Sequence, residues 1–303
     1  MCYNKQVLTA TDGDRRDFMV ETLTARESKE VIMKEALREF FGLGELGYTR
    51  VPEGYFSWQH LVFVSSIMVV MAALAVLLGR KNKNASEKQK NKVLIWAAVL
   101  INFFQLTVVA RRCINAGSIW EFVGELPLFL CSIQLITIPM AALAKSRLKE
   151  ASLDFVAIFG LLGAVMGTYF AGQNYTSYPV LSFHNVVSGI THSISGFSSL
   201  YIMIAGMASM KKKNIPLSYA IVTGFSVVAY IVDVIGDYNY MFLMRGDGTP
   251  YDILFNLVNG NPVLYPLGVL FLFFIYITVF NHIFVYSKHR VEIVREKKKA
   301  LKA

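Results

Sequence analysis

The stretch Ser57–Gly79, SWQHLVFVSSIMVVMAALAVLLG, contains no Asp, Glu, Lys or Arg in 23 residues. A helix that crosses the hydrocarbon core of a bilayer needs about 20 mostly apolar residues, and this stretch supplies them. The whole chain of 303 residues has the same character: 54% of its residues are hydrophobic, only 17% are charged, and the mean hydropathy is +0.46. Soluble globular chains carry about 25% charged residues. The sequence therefore predicts an integral membrane protein.

Six further stretches are similar to Ser57–Gly79 in length and apolar character. The least apolar of them, Leu153–Ala171, carries Asp154 and three glycines. With Ser57–Gly79 they predict an all-α membrane protein, a bundle of seven transmembrane helices. The six are Val93–Ala110, Leu126–Ala144, Leu153–Ala171, Phe183–Ala208, Pro216–Ile235 and Pro262–Tyr286.

The basic residues predict how these spans are oriented. Loops on one side of the bilayer, with the carboxyl-terminal tail, hold 19 Lys or Arg, and loops on the other side hold three. Because cytoplasmic loops carry an excess of Lys and Arg, we expect the amino terminus outside and the carboxyl terminus inside. The net charge of +9 is then mostly a topology signal. We expect membrane lipids rather than nucleic acid as partners, and a multi-pass location in the cell membrane, a bacterial cytoplasmic membrane.

The sequence divides into three parts. Residues 1–54 form an extracytoplasmic extension, residues 55–286 the membrane domain and residues 287–303 a basic cytoplasmic tail. Within the extension, Glu27–Phe41 places apolar side chains at helical spacing between charged ones. This pattern predicts an amphipathic helix that lies on the membrane surface or over the bundle rather than an eighth span.

Polar side chains recur inside the predicted spans and fall at similar depths. His184, Ser188 and His192 follow one another at steps of four on one helical face of the fifth span. Other spans add Asn102, Gln134, Tyr230 and Asp233. Two interpretations stay open: hydrogen bonds that join the helices of the bundle, or a cavity open to the outer leaflet and used for chemistry or transport.

Three of these side chains have the chemistry of a reactive site. Cys131 is either a small buried apolar residue or a nucleophile. His192 lies in mid-span, where both of its ring nitrogens need partners, and Asp233 is either its orienting partner or a partner of another polar group. The three cysteines in the chain contain no C-x-x-C pair, so we expect neither a disulfide scaffold nor a zinc site, and no cofactor.

Three short motifs carry a resemblance to a known family. Residues 126–133, LPLFLCSI, resemble the L-P-L-H-L-C-S-I signature of the bacterial YwaF-like integral membrane family, which includes eukaryotic transmembrane protein 164. Thr191-His192-Ser193 resembles its histidine-bearing helix, and residues 239–243, NYMFL, resemble its N-Y-M-x-L segment. The resemblance covers about residues 55–286. Phe129 stands where many members of that family have histidine.

The resemblance implies an activity. The eukaryotic branch of that family is associated with phospholipid acyl transfer by a cysteine and a histidine, which map to Cys131 and His192. A thiol attacks as its thiolate and needs a nearby base, so His192 would take the proton and Asp233 would hold the ring. The residues expected to bind substrate, some of them by donating hydrogen bonds to an oxyanion, are His184, Ser188, Gln134, Asn102, Tyr230, Asn239 and Tyr240.

Two functions of different classes follow from the sequence. The first is a lipid acyltransferase or lipid hydrolase that uses Cys131 and acts near the outer leaflet. The second is a non-catalytic carrier or binding protein that holds a small solute in an outward-facing polar cavity. An enzyme requires Cys131, whereas a carrier tolerates serine or alanine there.

Overall fold

The computed structural model describes residues 28–43 and 47–300, and these residues form ten α-helices and no β-strand. Short 3₁₀ helices at Ile119–Glu125, Lys212–Asn214 and Tyr240–Phe242 join some of them. The α-helices are α1 (28–41), α2 (Trp58–Asn82), α3 (Glu87–Ala116), α4 (Gln134–Leu143), α5 (Ser146–Met166), α6 (Gly172–Ser177), α7 (Phe183–Ile204), α8 (Ile215–Gly236), α9 (Tyr251–Leu257) and α10 (Leu264–Ala300).

Four helices of the described chain are long and apolar enough to cross a membrane. They are α2, α3, α8 with the residues just before it, and the part of α10 up to Val291. The all-helical membrane architecture predicted from the sequence is therefore present. The other three predicted spans correspond to α4, which has only ten residues, and to the more polar helices α5 and α7.

α5 lies at the centre of the bundle, where it packs against α4, α7 and α8. All of residues 151–160 are buried, and they include the carboxylate of Asp154. This carboxylate accepts hydrogen bonds from the backbone N–H groups of Ser209 and Met210 at 2.8 and 2.9 Å, from the Ser209 hydroxyl and from Asn214 Nδ2. A buried carboxylate with four donors is satisfied without water. Asp154 thus ties α5 to the connection between α7 and α8.

The third predicted span, Leu126–Ala144, is wrong as a single helix. Residues 126–133 are not α-helical, and α4 begins only at Gln134. Pro127 has no N–H to donate, and the hydroxyl of Ser132 accepts from the Phe129 N–H at 3.0 Å. Such local side-chain bonds compete with the helical ladder and favour turns. This turn leaves Cys131 in an irregular segment just before a short helix.

The amino-terminal helix α1 is present at residues 28–41, while Glu27 and residues 44–46 lie outside the described residues. Its last turn is attached to the bundle, because Arg111 Nε donates to the Phe41 carbonyl at 2.6 Å and Phe41 packs on Phe183. Side chains of residues 28–38 are exposed. α1 therefore begins away from the bundle and ends against α3 and α7.

The last helix is longer than the predicted last span. α10 runs from Leu264 to Ala300, so it continues without a break from the apolar span through the basic residues after Tyr286.

Candidate functional site

The structure brings Cys131 and His192 together. Cys131 lies in the turn before α4, His192 lies in the middle of α7, and their side chains lie beside each other, next to Gly163 and Gly167 respectively. Both side chains are half-buried. A thiol beside an imidazole is the arrangement that produces a nucleophilic thiolate.

The hydrogen bonds of the His192 ring define its tautomer. Nδ1 lies 2.7 Å from the Ser188 carbonyl oxygen and 3.4 Å from the Ser188 hydroxyl. Because a carbonyl oxygen only accepts, the neutral ring carries its proton on Nδ1. Nε2 is therefore the unprotonated nitrogen that is able to take a proton from the Cys131 thiol.

Two glycines of the fourth predicted span make room for this pair. A Cβ on Gly163 would lie 3.2 Å from the Cβ of Cys131, and a Cβ on Gly167 would lie 2.7 Å from Cε1 of His192 and closer still to Nε2 and Cδ2. Small residues let helices approach closely in membranes. In the sequence these glycines only made the fourth predicted span less apolar. Their spacing of four residues places them on one helical face, and this spacing could have predicted a close contact between helices.

Asp233 does not hydrogen-bond His192, and of the two partners expected for its carboxylate the structure shows the other one, a backbone group. One Asp233 carboxylate oxygen accepts from the Tyr240 N–H at 2.8 Å, and the other has no hydrogen-bond partner among the described residues. The position expected for Asp233 at Nδ1 is taken by the Ser188 carbonyl. A backbone carbonyl one turn earlier on the same helix orients the ring in the same way that a carboxylate would. It does so without a charged group beside the ring.

A family model described as the TMEM164 family matches residues 55–286 of this chain. The chain belongs to the TMEM164 family. The matched residues coincide with the membrane domain expected from the sequence and contain both Cys131 and His192. No curated protein and no solved structure matches the chain.

Several other predicted site residues of this TMEM164-family protein hold helices and turns together. Asn102 Nδ2 donates to the carbonyls of Ala98 and Leu135, which joins α3 to α4. The Tyr230 hydroxyl donates to the Pro262 carbonyl at 2.9 Å. These contacts agree with the interpretation of the polar residues as interhelical hydrogen bonds.

The other predicted residues differ in whether their polar groups have hydrogen-bond partners. Asn239 organises the turn after α8, because its Oδ1 accepts from the N–H groups of Met244 and Arg245. His184 stacks against Tyr178, with ring centroids 4.4 Å apart. Gln134 is fully buried at the start of α4, where its Oε1 accepts from Thr137 and its Nε2 has no partner among the described residues.

Phe129 lies at a small cavity of about 110 Å³. Its ring packs edge-on against Tyr240, with centroids 4.8 Å apart, and the Tyr240 hydroxyl donates to the Val123 carbonyl. Arg112 also lines this cavity and forms ion pairs of 3.0 Å with Glu121 and Glu125. Phe129 is thus part of a small cavity two positions before Cys131.

No group of three or more His, Cys, Asp or Glu suited to holding a metal ion occurs in the part of the chain that the structure describes. The candidate site of this TMEM164-family protein consists of Cys131, His192 and Ser188, with Gly163 and Gly167 packed beside them.

Proposed function

We propose that this protein is a membrane-embedded acyltransferase or lipid hydrolase whose nucleophile is Cys131. The observation that carries the proposal is the position of Cys131 beside the ring of His192, whose Nδ1 is held by the Ser188 carbonyl. A thiol without a catalytic role needs no imidazole beside it, and an ionisable ring inside a membrane span is costly and usually functional. Membrane lipids are the substrates that such a site meets.

The proposed reaction has two steps. In the first, Nε2 of His192 takes the Cys131 thiol proton, the sulfur attacks an ester carbonyl carbon of a lipid, and the ester C–O bond breaks as the leaving oxygen takes that proton. In the second, a hydroxyl group of another lipid, or water, gives its proton to Nε2 and attacks the thioester carbon. The C–S bond then breaks, and the sulfur regains the proton from His192.

Gln134 is the favoured donor to the oxyanion of both steps. It follows Cys131 by three residues, is fully buried, and has an Nε2 donor without a partner among the described residues. The backbone N–H groups of Cys131 itself and of the next residue, Ser132, are further candidate donors. Preorganised donors of this kind stabilise the charge that develops in acyl transfer. Asn102, Asn239 and Tyr240 are less suited, because each is engaged in the contacts described above.

We further propose that α4, α5 and α7 complete a seven-span bundle in the cell membrane, with the amino terminus outside. The support is the distribution of Lys and Arg, 19 against three. Single cysteines at Lys83 and Ser177, both exposed, test the orientation with a membrane-impermeant maleimide added to intact cells. Labelling at Ser177 alone supports it, and labelling at Lys83 alone reverses it.

Transfer of a labelled acyl chain between lipids tests the enzymatic proposal. Purified protein in vesicles receives a phospholipid with an isotope-labelled acyl chain, and mass spectrometry follows that chain into other lipids and free fatty acid. We expect turnover by the wild type and by Cys113→Ser, which removes the other described free thiol, and none by Cys131→Ser. Equal turnover by wild type and Cys131→Ser would refute the proposal, and uptake of a solute unaffected by Cys131→Ser would favour a carrier.

A further inference from the structure

The polar face of α7 that carries His192 is not fully packed. His184, Ser188 and His192 are half-buried, whereas Val187 and Gly189 on another side of the same helix are buried. Eight residues separate His184 from His192, which is about 12 Å along the helix at 1.5 Å per residue. The three polar side chains therefore form a partly accessible stripe that leads from the amino-terminal end of α7 to His192 beside Cys131.

The amino-terminal end of this stripe meets residues of the amino-terminal extension. The His184 ring stacks on Tyr178 with centroids 4.4 Å apart, and Tyr178 packs edge-on against Tyr48 of the extension with centroids 5.7 Å apart. Glu53 of the extension accepts a hydrogen bond from the Val180 N–H at 2.7 Å. Described residues of the extension therefore cover the connection between α6 and α7, directly above the stripe.

Arg111 of α3 fastens this part of the extension to the bundle. Its Nε donates to the Phe41 carbonyl at 2.6 Å. Its guanidinium carbon lies 5.5 Å from the centroid of the Tyr48 ring and 5.6 Å from that of the Phe183 ring. A cation is attracted to the negative faces of aromatic rings at such distances. One side chain of the bundle thus holds two points of the extension, Phe41 and Tyr48, against the start of α7.

We propose that residues 39–43 and 47–53 act as a lid on the amino-terminal end of the polar stripe, with Arg111 as the latch. Segments that close over a site exclude water and control access to it. The lid lies outside residues 55–286, which the family model matches. That an open lid admits reactants for acyl transfer rests on the proposed function. The control of access to the Cys131 thiol does not, and it has a separate test.

Gly42 allows the latch to be opened from the extension, with no change in the bundle. Gly42 is buried, and an added Cβ would lie 2.8 Å from Arg111 Nη2 and 2.8 Å from the Tyr48 ring. Gly42→Ala therefore displaces the guanidinium from its partners. Gly47→Ala is the matched control, because both glycines have a left-handed φ, of 60° and 83°, but a Cβ on Gly47 would meet no atom within 4 Å.

Arg111→Gln opens the latch from the bundle. The neutral side chain loses the attraction to the Tyr48 and Phe183 rings, and it is too short to keep the same contacts. Arg38→Gln is the charge-matched control, because Arg38 is exposed on α1. Two variants that act from opposite sides of the latch, each with its own control, separate the loss of the latch from a local effect of either substitution.

The experiment measures how fast a charged, water-soluble methanethiosulfonate modifies Cys131 in the full-length protein in lipid nanodiscs, where both faces meet the solution. A Cys113→Ser background removes the other described thiol, and peptide mass spectrometry locates the modification. Hydrogen exchange of residues 28–43 and 47–53 measures release of the lid. We expect release and severalfold faster modification in Gly42→Ala and Arg111→Gln, and neither change in Gly47→Ala or Arg38→Gln.

Release of the lid without faster modification of Cys131 would overturn the inference, and so would a lid that stays protected in both Gly42→Ala and Arg111→Gln. Acyl transfer by the same proteins separates this inference from the proposed function. Faster modification in variants of a protein that shows no acyl transfer would retain the lid and reject the enzyme. Acyl transfer by a protein whose modification rate does not respond to lid release would retain the enzyme and reject the lid.

Discussion

Gly167 lies against the ring of His192 so closely that any side chain at this position would displace the imidazole. An added Cβ would be 2.7 Å from Cε1 and nearer still to Nε2, and separations under 3.0 Å are essentially never seen for real Cβ atoms. Gly167 is the residue after α5, whereas His192 is held on α7 by the Ser188 carbonyl. The position of Nε2 of His192 is therefore set jointly by α7 and by the end of α5.

We predict that Gly167→Ala slows acyl transfer about 100-fold, because a displacement of about 1 Å at a reacting group has an effect of that size. Gly172→Ala is the control, since its Cβ would make only ordinary contact with Tyr55 at 3.5 Å. The lipid-transfer assay measures both variants alongside their thermal melting in detergent. Full activity in Gly167→Ala would show that the His192 ring need not stay where the structure places it.

Gln134→Leu is expected to lower turnover by about 10²–10³-fold, the effect typical of removing one oxyanion donor. The KM for the lipid should change little, because the lost interaction forms with the charged intermediate. Thr137→Val is the control, since it removes the Thr137 bond to Gln134 Oε1 and leaves the Nε2 donor in place. Steady-state kinetics in mixed micelles separates the two constants. A change confined to KM would assign Gln134 to binding alone.

Replacement of Asp154 should destabilise the bundle. Asp154→Ala leaves several buried donors of the connection between α7 and α8 without an acceptor, at a cost of about 1–3 kcal/mol each. Glu150→Gln, which affects an exposed ion pair with Lys211, should change stability little. Unfolding by titration with a denaturing detergent measures the free energy of both variants. Equal stability of Asp154→Ala and wild type would contradict this role.

The attachment of the amino-terminal segment should depend on pH. The Glu39 carboxylate accepts from the Thr49 hydroxyl at 2.6 Å and from the N–H groups of Thr49 and Arg50 at 3.0 Å, and these bonds hold the pKa of Glu39 below its usual value. Because the folded pKa is lowered, the stabilisation is complete above the unfolded value of about 4.3 and is lost as the pH falls through the folded pKa.

Limited proteolysis or hydrogen exchange of residues 28–50 measures this attachment. We expect protection at pH 7, loss of protection in the acid range, and a similar loss at pH 7 in Glu39→Gln. Glu35→Gln, on the exposed part of α1, is the matched control. Protection that is the same at pH 7 and in acid, and in both variants, would show that the Glu39 bonds do not secure the segment.

The sequence was sufficient for the helical membrane class and the family. Apolar length predicted the spans, and helical spacing placed His192 and Ser188 on one face. Hydropathy failed to predict the third span correctly. The stretch is apolar throughout, but Pro127 and the turn at Ser132 interrupt the helix within it.

Asp233 was assigned to His192 because a carboxylate in a span needs a partner and imidazole is a common one. Whether Asp233 contacts His192 or a backbone group depends on the rotation of α8 about its axis relative to α7. The residue spacing within a single helix does not determine this rotation. The turn after α8 brings the Tyr240 N–H back to Asp233.

The mass of the intact protein during turnover tests the central claim most directly. Purified protein is mixed with a phospholipid that carries a labelled acyl chain, quenched in acid and analysed by mass spectrometry. We predict a gain equal to one acyl group in place of one hydrogen, located on the peptide that contains Cys131, removed by hydroxylamine, retained in Cys113→Ser and absent in Cys131→Ser. Acyl transfer without any such adduct, or an adduct that persists in Cys131→Ser, would contradict a thioester at Cys131.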